Sequence, residues 1–302
     1  MYEKFYRLLG KPFALTPDPA YFFLGRQHQR ALTLLEYALH QGTCFALISG
    51  EIGSGKTTVV NYLLRRVERG LRVGLMTNTH PGLGTLLPWV MQSLAVTMPR
   101  GSPTASDLYS AFAQFLERER RARRRAVLII DEAQNLTADA LEELRVLSNL
   151  NAGDGLVLQT VLVGQPEIRE TLRSARMRQF AQRIAVDCHI APLTREETHH
   201  YVAHRLSVAG GNPSIISFEA CERVHTSTGG VPRLINQVCD TALVYGFAEQ
   251  RNPIDPEIVE MVLRDRGEGG LLPLVESSGL DAVAPSAPSA QAGAALSAAP
   301  ID

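Results

Sequence analysis

One eight-residue run, Gly50-Glu-Ile-Gly-Ser-Gly-Lys-Thr57, constrains the fold of this chain more than any other feature. Residues 44–49, directly before it, form a short apolar stretch that is typical of a buried strand. A G-x-x-x-x-G-K-[ST] loop that leaves such a strand and opens a helix points successive backbone N–H groups inward, where they bind triphosphate oxygens. The alternative is a glycine-rich turn before a helix, with Lys56 solvated. We expect the chain to bind ATP or GTP in this loop.

The residues of the loop have distinct predicted tasks. Glycines are needed where the backbone passes close to the phosphates with φ values that side chains resist. Lys56 is expected to reach the β and γ phosphates, and the Thr57 hydroxyl is expected to bind Mg²⁺. Nucleotide binding is predicted for the whole run from the first glycine to the second threonine, which comprises Gly50, Glu51, Ile52, Gly53, Ser54, Gly55, Lys56, Thr57 and Thr58.

A second element, the apolar run 126–130, ends in the acid pair Asp131-Glu132. Its continuous β-branched character is typical of a strand buried on both faces of a parallel sheet, and ligands bind at the carboxyl ends of such strands. Asp131 is expected to enter the Mg²⁺ shell, usually through a water. Glu132 points to the opposite side and is expected to accept a proton from the water that attacks the γ-phosphate. The alternative is an acid that caps the following helix.

Length and composition allow a sizeable core and a second, smaller one. The chain has 302 residues, of which 45% are hydrophobic, so about two domains are expected. A net charge of −1 gives no global basic field, so the charge balance neither requires nor excludes DNA. The four cysteines are scattered without a C-x-x-C pair, which predicts reduced thiols in a cytosolic protein.

The N-terminus lacks the cationic start and apolar stretch of a secretion signal. No segment offers the roughly 18 uninterrupted apolar residues of a spanning helix, so no transmembrane segment is predicted. We therefore expect a soluble, cytoplasmic protein.

Apolar patterns alternate between strand and helix over the first two thirds of the chain. This alternation predicts a right-handed, doubly wound parallel sheet covered by helices. The predicted strands are 44–49, 73–77, 126–130, 156–163 and 184–190, and the predicted helices are 27–41, 56–69, 86–95, 106–121 and 137–150.

The pattern changes after Pro192. Thr194-Arg-Glu-Glu197 is a capping box that opens a helix to about Val208, and Ser217, Gly230 and Asp255 mark three further helix starts. Beyond Gly267 the chain consists largely of Gly, Pro, Ala and Ser, which predicts a disordered tail. The expected organisation is an N-terminal segment, a phosphate-loop domain, a helical domain and the tail, with bounds 1–26, 27–193, 194–266 and 267–302.

This order of parts resembles the AAA+ ATPases, and within them the group of general secretion pathway protein A (ExeA) and its relatives in pilus, exopolysaccharide and exosortase-linked gene sets. The resemblance covers about residues 1–266. It implies a three-layer α/β P-loop NTPase with a C-terminal all-helical lid, which uses ATP and Mg²⁺. The segments that carry it are Lys11–Pro19, Ile130–Gln134, Val163–Glu167 and Gly229–Asn236.

The resemblance implies roles for residues that the patterns leave open. Gln165 matches the first sensor position and would orient the attacking water; the alternative is a strand-end polar residue in a turn. Arg233 matches the second sensor, a lid arginine that reaches the γ-phosphate; the alternative is an exposed arginine at a helix start. Arg183 is a candidate arginine finger acting on a neighbouring subunit, with Arg178 as its competitor. Tyr21 or Phe22 would pack on the base, unless these rings belong to the core.

Residues 118–125 contain six arginines. We interpret them as cations at a helix C-terminus and as solvated surface, and the alternative is a patch that contacts the phosphates of DNA or acidic lipid. No aromatic residues interleave the cluster, which argues against recognition of single strands by stacking.

Two functions follow as hypotheses. The first is an ATPase that forms homo-oligomers, of which a ring is one form. Its hydrolysis cycle works on the assembly of an envelope secretion, pilus or exopolysaccharide apparatus. The second is an ATP-gated DNA-binding regulator similar to transposition ATPases. A phosphotransferase is a third option, against which Glu132 and the lid argue.

Overall fold

The structure, a computed structural model, describes residues 1–16, 18–66, 70–77, 84–151 and 157–269, except for the side chains of residues 268 and 269. Most of the predicted tail, residues 270–302, lies outside the described residues. So do the predicted strand start at residue 156 and the last three residues of the predicted helix 56–69.

Five parallel strands form one sheet in the described part of the chain, in the order β2-β3-β4-β1-β5. The predicted parallel sheet is therefore confirmed. The three inner strands are almost wholly buried, which explains their continuous apolar runs. The strands are β1 (Phe45–Gly50), β2 (Leu71–Met76), β3 (Arg125–Ile130), β4 (Leu158–Gly164) and β5 (Ile184–Ile190).

Helices cover both faces of the sheet. The helices of this part are α1 (Arg26–Gln41), α2 (Lys56–Arg66), α3 (Leu87–Ser93), α4 (Ala105–Arg121), α5 (Ala138–Ser148), α6 (Glu167–Arg173) and α7 (Arg178–Ala181). The sequence patterns did not predict α6 and α7, because seven and four residues are too short for a helical period to show.

Two hydrophobic clusters, one on each face of the sheet, hold the helices against it, so the domain has three layers. Phe45 and Leu47 of β1 point into the cluster that also holds Phe112 of α4 and Leu144 of α5. Their neighbours in the strand, such as Ile48, point into the opposite cluster beneath α1 and α2. The alternation of side chains along a strand thus fills both faces of the sheet.

The helical lid follows β5. Thr194 forms the predicted capping box with Glu197, and Ser217 caps the next helix through its side chain. The helix predicted to start near Gly230 begins at Pro232, after two glycines with left-handed φ angles. The lid helices are α8 (Arg195–Val208), α9 (Phe218–Thr228), α10 (Pro232–Ala248) and α11 (Pro256–Gly269).

The first residues of the chain pack into the lid. Tyr2, Tyr6, Leu8 and Phe13 are buried in the same hydrophobic cluster as the lid helices. The Tyr6 hydroxyl donates to the Arg251 carbonyl at 3.0 Å, so polar contacts also join the N-terminus to the lid. The N-terminal segment therefore shares its core with α8–α11, which the patterns along the sequence do not indicate.

None of the described helices combines the length and the apolar character needed to cross a bilayer.

Candidate active site

The phosphate loop leaves β1 at Gly50 and enters α2 at Lys56. Its glycines are required by geometry. A Cβ on Gly50 would lie 2.6 Å from the carbonyl oxygen of Ile190, and one on Gly55 would lie 2.9 Å from Nε2 of His28. Gly53 and Gly55 have φ angles of +81° and +95°, which L side chains rarely adopt. The loop is therefore a tight turn that needs glycine at these positions, and its tightness suits the binding of phosphate.

The Lys56 side chain folds back onto the first two residues of this loop. Its ammonium donates to the carbonyl oxygens of Gly50 at 2.7 Å and of Glu51 at 2.8 Å, and the residue is only 7% exposed. Burial lowers the pKa of Lys56, and the Glu132 and Asp131 carboxylates oppose that shift. A cation removed from water at this point favours an anionic ligand, and phosphate oxygens fit the chemistry of the loop.

Thr57 and Asp131 come together from α2 and β3. The Thr57 hydroxyl donates to Oδ2 of Asp131 at 2.8 Å, and Oδ1 of the same carboxylate accepts the Glu132 backbone N–H at 2.9 Å. This pair of hard oxygen donors fits Mg²⁺, which takes few protein ligands and completes its shell with water and phosphate oxygens. Among the described residues no group of three or more His, Cys, Asp or Glu could hold a metal ion by itself.

Glu132 and Gln165 meet where β3 and β4 end. Nε2 of Gln165 donates to Oε2 of Glu132 over a long 3.4 Å, and both side chains line the same cleft as Lys56. Glu132 has a left-handed φ of 53°, a conformation that costs free energy for a residue with a side chain. The two side chains thus lie close together at the cleft, and their roles in holding and deprotonating the attacking water stay a prediction.

The lid contacts the loop at Arg233. Its backbone N–H donates to the Gly53 carbonyl oxygen at 3.3 Å, and its side chain lines the cleft. Arg233 lies in the first turn of α10, so the positive end of the helix dipole and the guanidinium face the loop together. The structure thus brings the predicted sensor arginine to the phosphate loop, and its role as a sensor stays a prediction.

The cleft between the loop and the lid has a volume of about 410 Å³. Tyr21 and Phe22 both line it, and a contact of either ring with the base stays a prediction. Phe22 also packs against Tyr62, with ring centroids 5.0 Å apart, so this ring serves the core as well.

The patterns in the sequence missed Arg205, which ties the N-terminal segment to α8. Its guanidinium donates to the carbonyl oxygens of Pro12 at 2.5 Å and of Ala14 at 3.1 Å, and lies 4.9 Å from the centre of the Tyr21 ring. The arginine is 8% exposed and lines the cleft. Nothing in the local sequence marks it, because its partners lie more than 190 residues away.

His28 of α1 contacts the phosphate loop, and the patterns in the sequence did not indicate this contact either. Its Nε2 lies 2.8 Å from the Ser54 carbonyl oxygen, and because a carbonyl only accepts, Nε2 carries the proton. Burial lowers the pKa of His28. Burial therefore favours the neutral imidazole, and the ring, which also lines the cleft, holds the backbone of the loop through Ser54.

The two candidate finger arginines lie outside this cleft. Arg183 donates to the Arg145 carbonyl oxygen at 3.2 Å and to the Ser148 hydroxyl, both of which belong to α5 of the same chain. Arg178 is exposed at the start of α7. The role of either arginine towards a second subunit stays a prediction.

Five of the six arginines in residues 118–125 have partners within the protein. Arg124 makes two bonds with Glu119, at 2.7 and 3.0 Å, and Arg120 and Arg121 both pair with Glu117. Arg118 and Arg125 donate to carbonyl oxygens of Gln114 and Leu39. These contacts favour the interpretation as a helix end with solvated cations.

Alanine at Gly53 should separate the lid from the loop. An added Cβ there would lie 2.4 Å from Cβ of Arg233, so α10 must move. We expect the G53A variant to bind Mg-ATP about tenfold or more weakly, since overpacking costs about 1–3 kcal/mol. The measurement is the rise in melting temperature on addition of Mg-ATP.

Gly101 provides the matched control for this variant. Its φ of +85° imposes a similar backbone strain, but nothing lies within 4 Å of an added Cβ. The G101A variant should keep the rise that Mg-ATP produces. Equal rises in both variants would show that the contact between lid and loop is not needed for binding.

Comparison with known proteins agrees with this geometry. A sequence model of the AAA domain matches residues 39–172. General secretion pathway protein A of Aeromonas hydrophila is 36% identical over 254 residues, which are 84% of this chain and 46% of that protein. The chain thus spans about half the length of the curated relative that it matches.

Solved structures share the fold at low sequence identity. Cdc6p from Pyrobaculum aerophilum superposes with a TM-score of 0.64 at 18% identity, over 84% of this chain and 70% of that chain. The Aeropyrum pernix ORC2 protein, solved as ADPNP and ADP complexes, superposes with a TM-score of 0.62 at 17% identity, over 84% and 71% of the two chains. At these identities the likeness concerns the fold alone.

Proposed function

We propose that this chain hydrolyses ATP to ADP and phosphate with Mg²⁺, because it belongs to the AAA+ proteins related to general secretion pathway protein A. One observation carries the proposal. Lys56, the Thr57–Asp131 pair, Glu132 and Arg233 converge on one cleft from the sheet domain and the lid.

In this proposal each group acts at a defined atom. The loop N–H groups and Lys56 bind the phosphate oxygens. Thr57 and Asp131 would hold Mg²⁺, which would neutralise phosphate charge when bound. Glu132 accepts one proton from water, whose oxygen bonds to the γ-phosphorus as the bond to the β-phosphate oxygen breaks. Gln165 orients that water. The products are ADP and inorganic phosphate.

The lid would convert this reaction into movement. In this proposal Arg233, which lines the cleft, binds the γ-phosphate, and its helix packs in the same core as the N-terminal segment. Loss of that phosphate removes the arginine's anionic partner, so the angle between lid and sheet changes. Arg205 would make the N-terminal segment follow α8 in this change.

A phosphate-release assay on the full chain tests the reaction class. We expect free phosphate from γ-labelled ATP, and no label on small molecules or on the protein. Label transferred to a small molecule would indicate a phosphotransferase instead.

We further propose that the active form is a homo-oligomer in which an arginine of one subunit completes the site of the next. A trans arginine contributes about 10³ or more in rate, so activity per subunit should rise with protein concentration. The R183A variant should lose this rise, and R178A, its competitor, should keep it. The assay is phosphate release over a range of protein concentrations.

The contacts of Arg183 with α5 require a folding control for this test. The melting temperature of R183A should therefore be compared with that of the wild-type chain. A rate per subunit that is independent of concentration in the wild type would argue for a monomeric switch.

The cellular role that we propose is to drive or regulate assembly of an envelope secretion, pilus or exopolysaccharide apparatus. The support is the name of the relative that shares 36% identity with this chain. The protein would act in the cytoplasm and be recruited to the inner face of the membrane by a component of that apparatus.

A titration with duplex DNA separates this role from ATP-gated DNA binding. With ATP present at two salt concentrations, we expect little binding, since most arginines of residues 118–125 have protein partners. Binding that falls steeply with salt, together with ATP-dependent filaments, would favour the DNA-binding regulator.

A further inference from the structure

Gln134 joins the proposed general base to the end of the neighbouring strand. Its Oε1 accepts the backbone N–H of Gln165 at 2.9 Å, and its Nε2 donates to Oε2 of Glu132 at 2.6 Å. Because a backbone N–H only donates, the amide oxygen must face Gln165 and the amide nitrogen must face Glu132. The backbone of the strand end therefore fixes the direction of both bonds.

The backbone brings Gln134 to this position. Glu132 takes a left-handed conformation, and a turn of 3-10 helix follows, in which the Asn135 N–H donates to the Glu132 carbonyl oxygen at 3.0 Å. This turn directs the chain back toward the end of β4. The space for the amide comes from Gly164, where a Cβ would lie 2.9 Å from Oε1 of Gln134.

The contact has a chemical consequence for Glu132. This side chain is exposed to the cleft, and an exposed glutamate samples several rotamers unless hydrogen bonds hold it. Both Gln134 and Gln165 donate to its Oε2, at 2.6 and 3.4 Å respectively. The shorter bond, from Gln134, is the stronger restraint of the two.

We propose that Gln134 is a positioning residue for ATP hydrolysis. It holds the Glu132 carboxylate against the end of β4, beside Gln165, in the orientation from which Glu132 accepts the proton of the attacking water. It also links the carboxylate to the backbone of Gln165. A shift of the end of β4 would therefore move Glu132 and Gln165 together. The inference rests on the proposed hydrolytic function.

Two substitutions at Gln134 separate the two bonds. Gln134→Glu keeps the size and the acceptor for the Gln165 N–H, but it cannot donate to Glu132 when ionised. Gln134→Met keeps the length and loses both bonds. For each variant we expect kcat to fall about tenfold or more, with the Kd for Mg-ATP within about twofold and the melting temperature unchanged.

Two further variants complete the test. Gly164→Ala changes neither the Glu132 nor the Gln134 side chain. Its Cβ would press first on Oε1 of Gln134, at 2.9 Å, and then on the backbone nitrogen of Gln134, at 3.2 Å. Because residue 164 does not need a positive φ, we expect the same loss of kcat. Gln92→Glu adds a similar charge at an exposed position of α3 and should keep the wild-type rate.

The outcomes distinguish this inference from the proposed function. A wild-type chain without turnover overturns both. Wild-type turnover that Gln134→Glu retains overturns the role of Gln134 alone. A parallel loss of nucleotide affinity or of melting temperature in the Gln134 variants would show a structural contribution, and it would also overturn the positioning role.

Discussion

Replacing Lys56 with alanine should remove measurable ATP hydrolysis and weaken nucleotide binding about thirtyfold or more. The expectation follows from burial, because the ammonium is 7% exposed and held at the mouth of the loop by two carbonyl oxygens. Truncating one partner of a buried charge pair costs about 2–5 kcal/mol, and 2 kcal/mol corresponds to about thirtyfold in affinity. A fluorescent ATP analogue and a phosphate-release assay measure the two effects.

Lys4 offers the matched control, since it is an exposed lysine of the same chain. The K4A variant should bind and hydrolyse ATP as the wild type does. The K56R variant keeps the charge and changes the shape of the cation. Because a planar guanidinium does not replace a compact ammonium in so tight a loop, we expect K56R to lose binding and hydrolysis as K56A does. Wild-type affinity in K56A would show that Lys56 does not contribute to nucleotide binding.

The E132Q variant should bind ATP with wild-type affinity and hydrolyse it about 10²–10⁴ times more slowly, which is the usual contribution of a general base. The amide has the shape of the carboxylate, and its oxygen can still accept the bond from Gln134. It cannot accept a proton from water. The measurement is single-turnover hydrolysis of labelled ATP, with gel filtration to detect nucleotide retained by the protein.

The comparison of E132Q with K56A tests the division of labour between binding and chemistry. We expect only K56A to lose affinity, while E132Q retains intact ATP through gel filtration. An equal loss of ATP affinity in the two variants would contradict the separate roles assigned to the loop and to the acid pair.

Local patterns were enough to predict the framework of the site. The strand Ile184–Ile190 has the predicted bounds, and Thr137, Thr194 and Ser217 cap helices as their positions indicate. These features depend on neighbours within a few residues, so periodicity and capping chemistry report them directly. The phosphate loop is similar, because its strand, glycines and helix are contiguous.

The remainder of the site depends on contacts between distant parts of the chain. Arg205 binds the Pro12 carbonyl oxygen 193 residues away, and His28 binds the loop from a helix that precedes β1. Gln134 is close to Glu132 in sequence, but its task appears only when the turn places it against β4. No periodicity marks such residues, since their partners are set by the tertiary fold.

A calorimetric titration of the full chain with Mg-ATP, beside the same titration of K56A, measures whether the phosphate loop binds nucleotide. We expect the wild type to bind one nucleotide per chain in a saturable manner, and K56A to bind it much more weakly. Two results would show that the loop does not bind nucleotide through Lys56: no uptake of Mg-nucleotide by folded wild-type protein, or equal affinity in the wild type and in K56A.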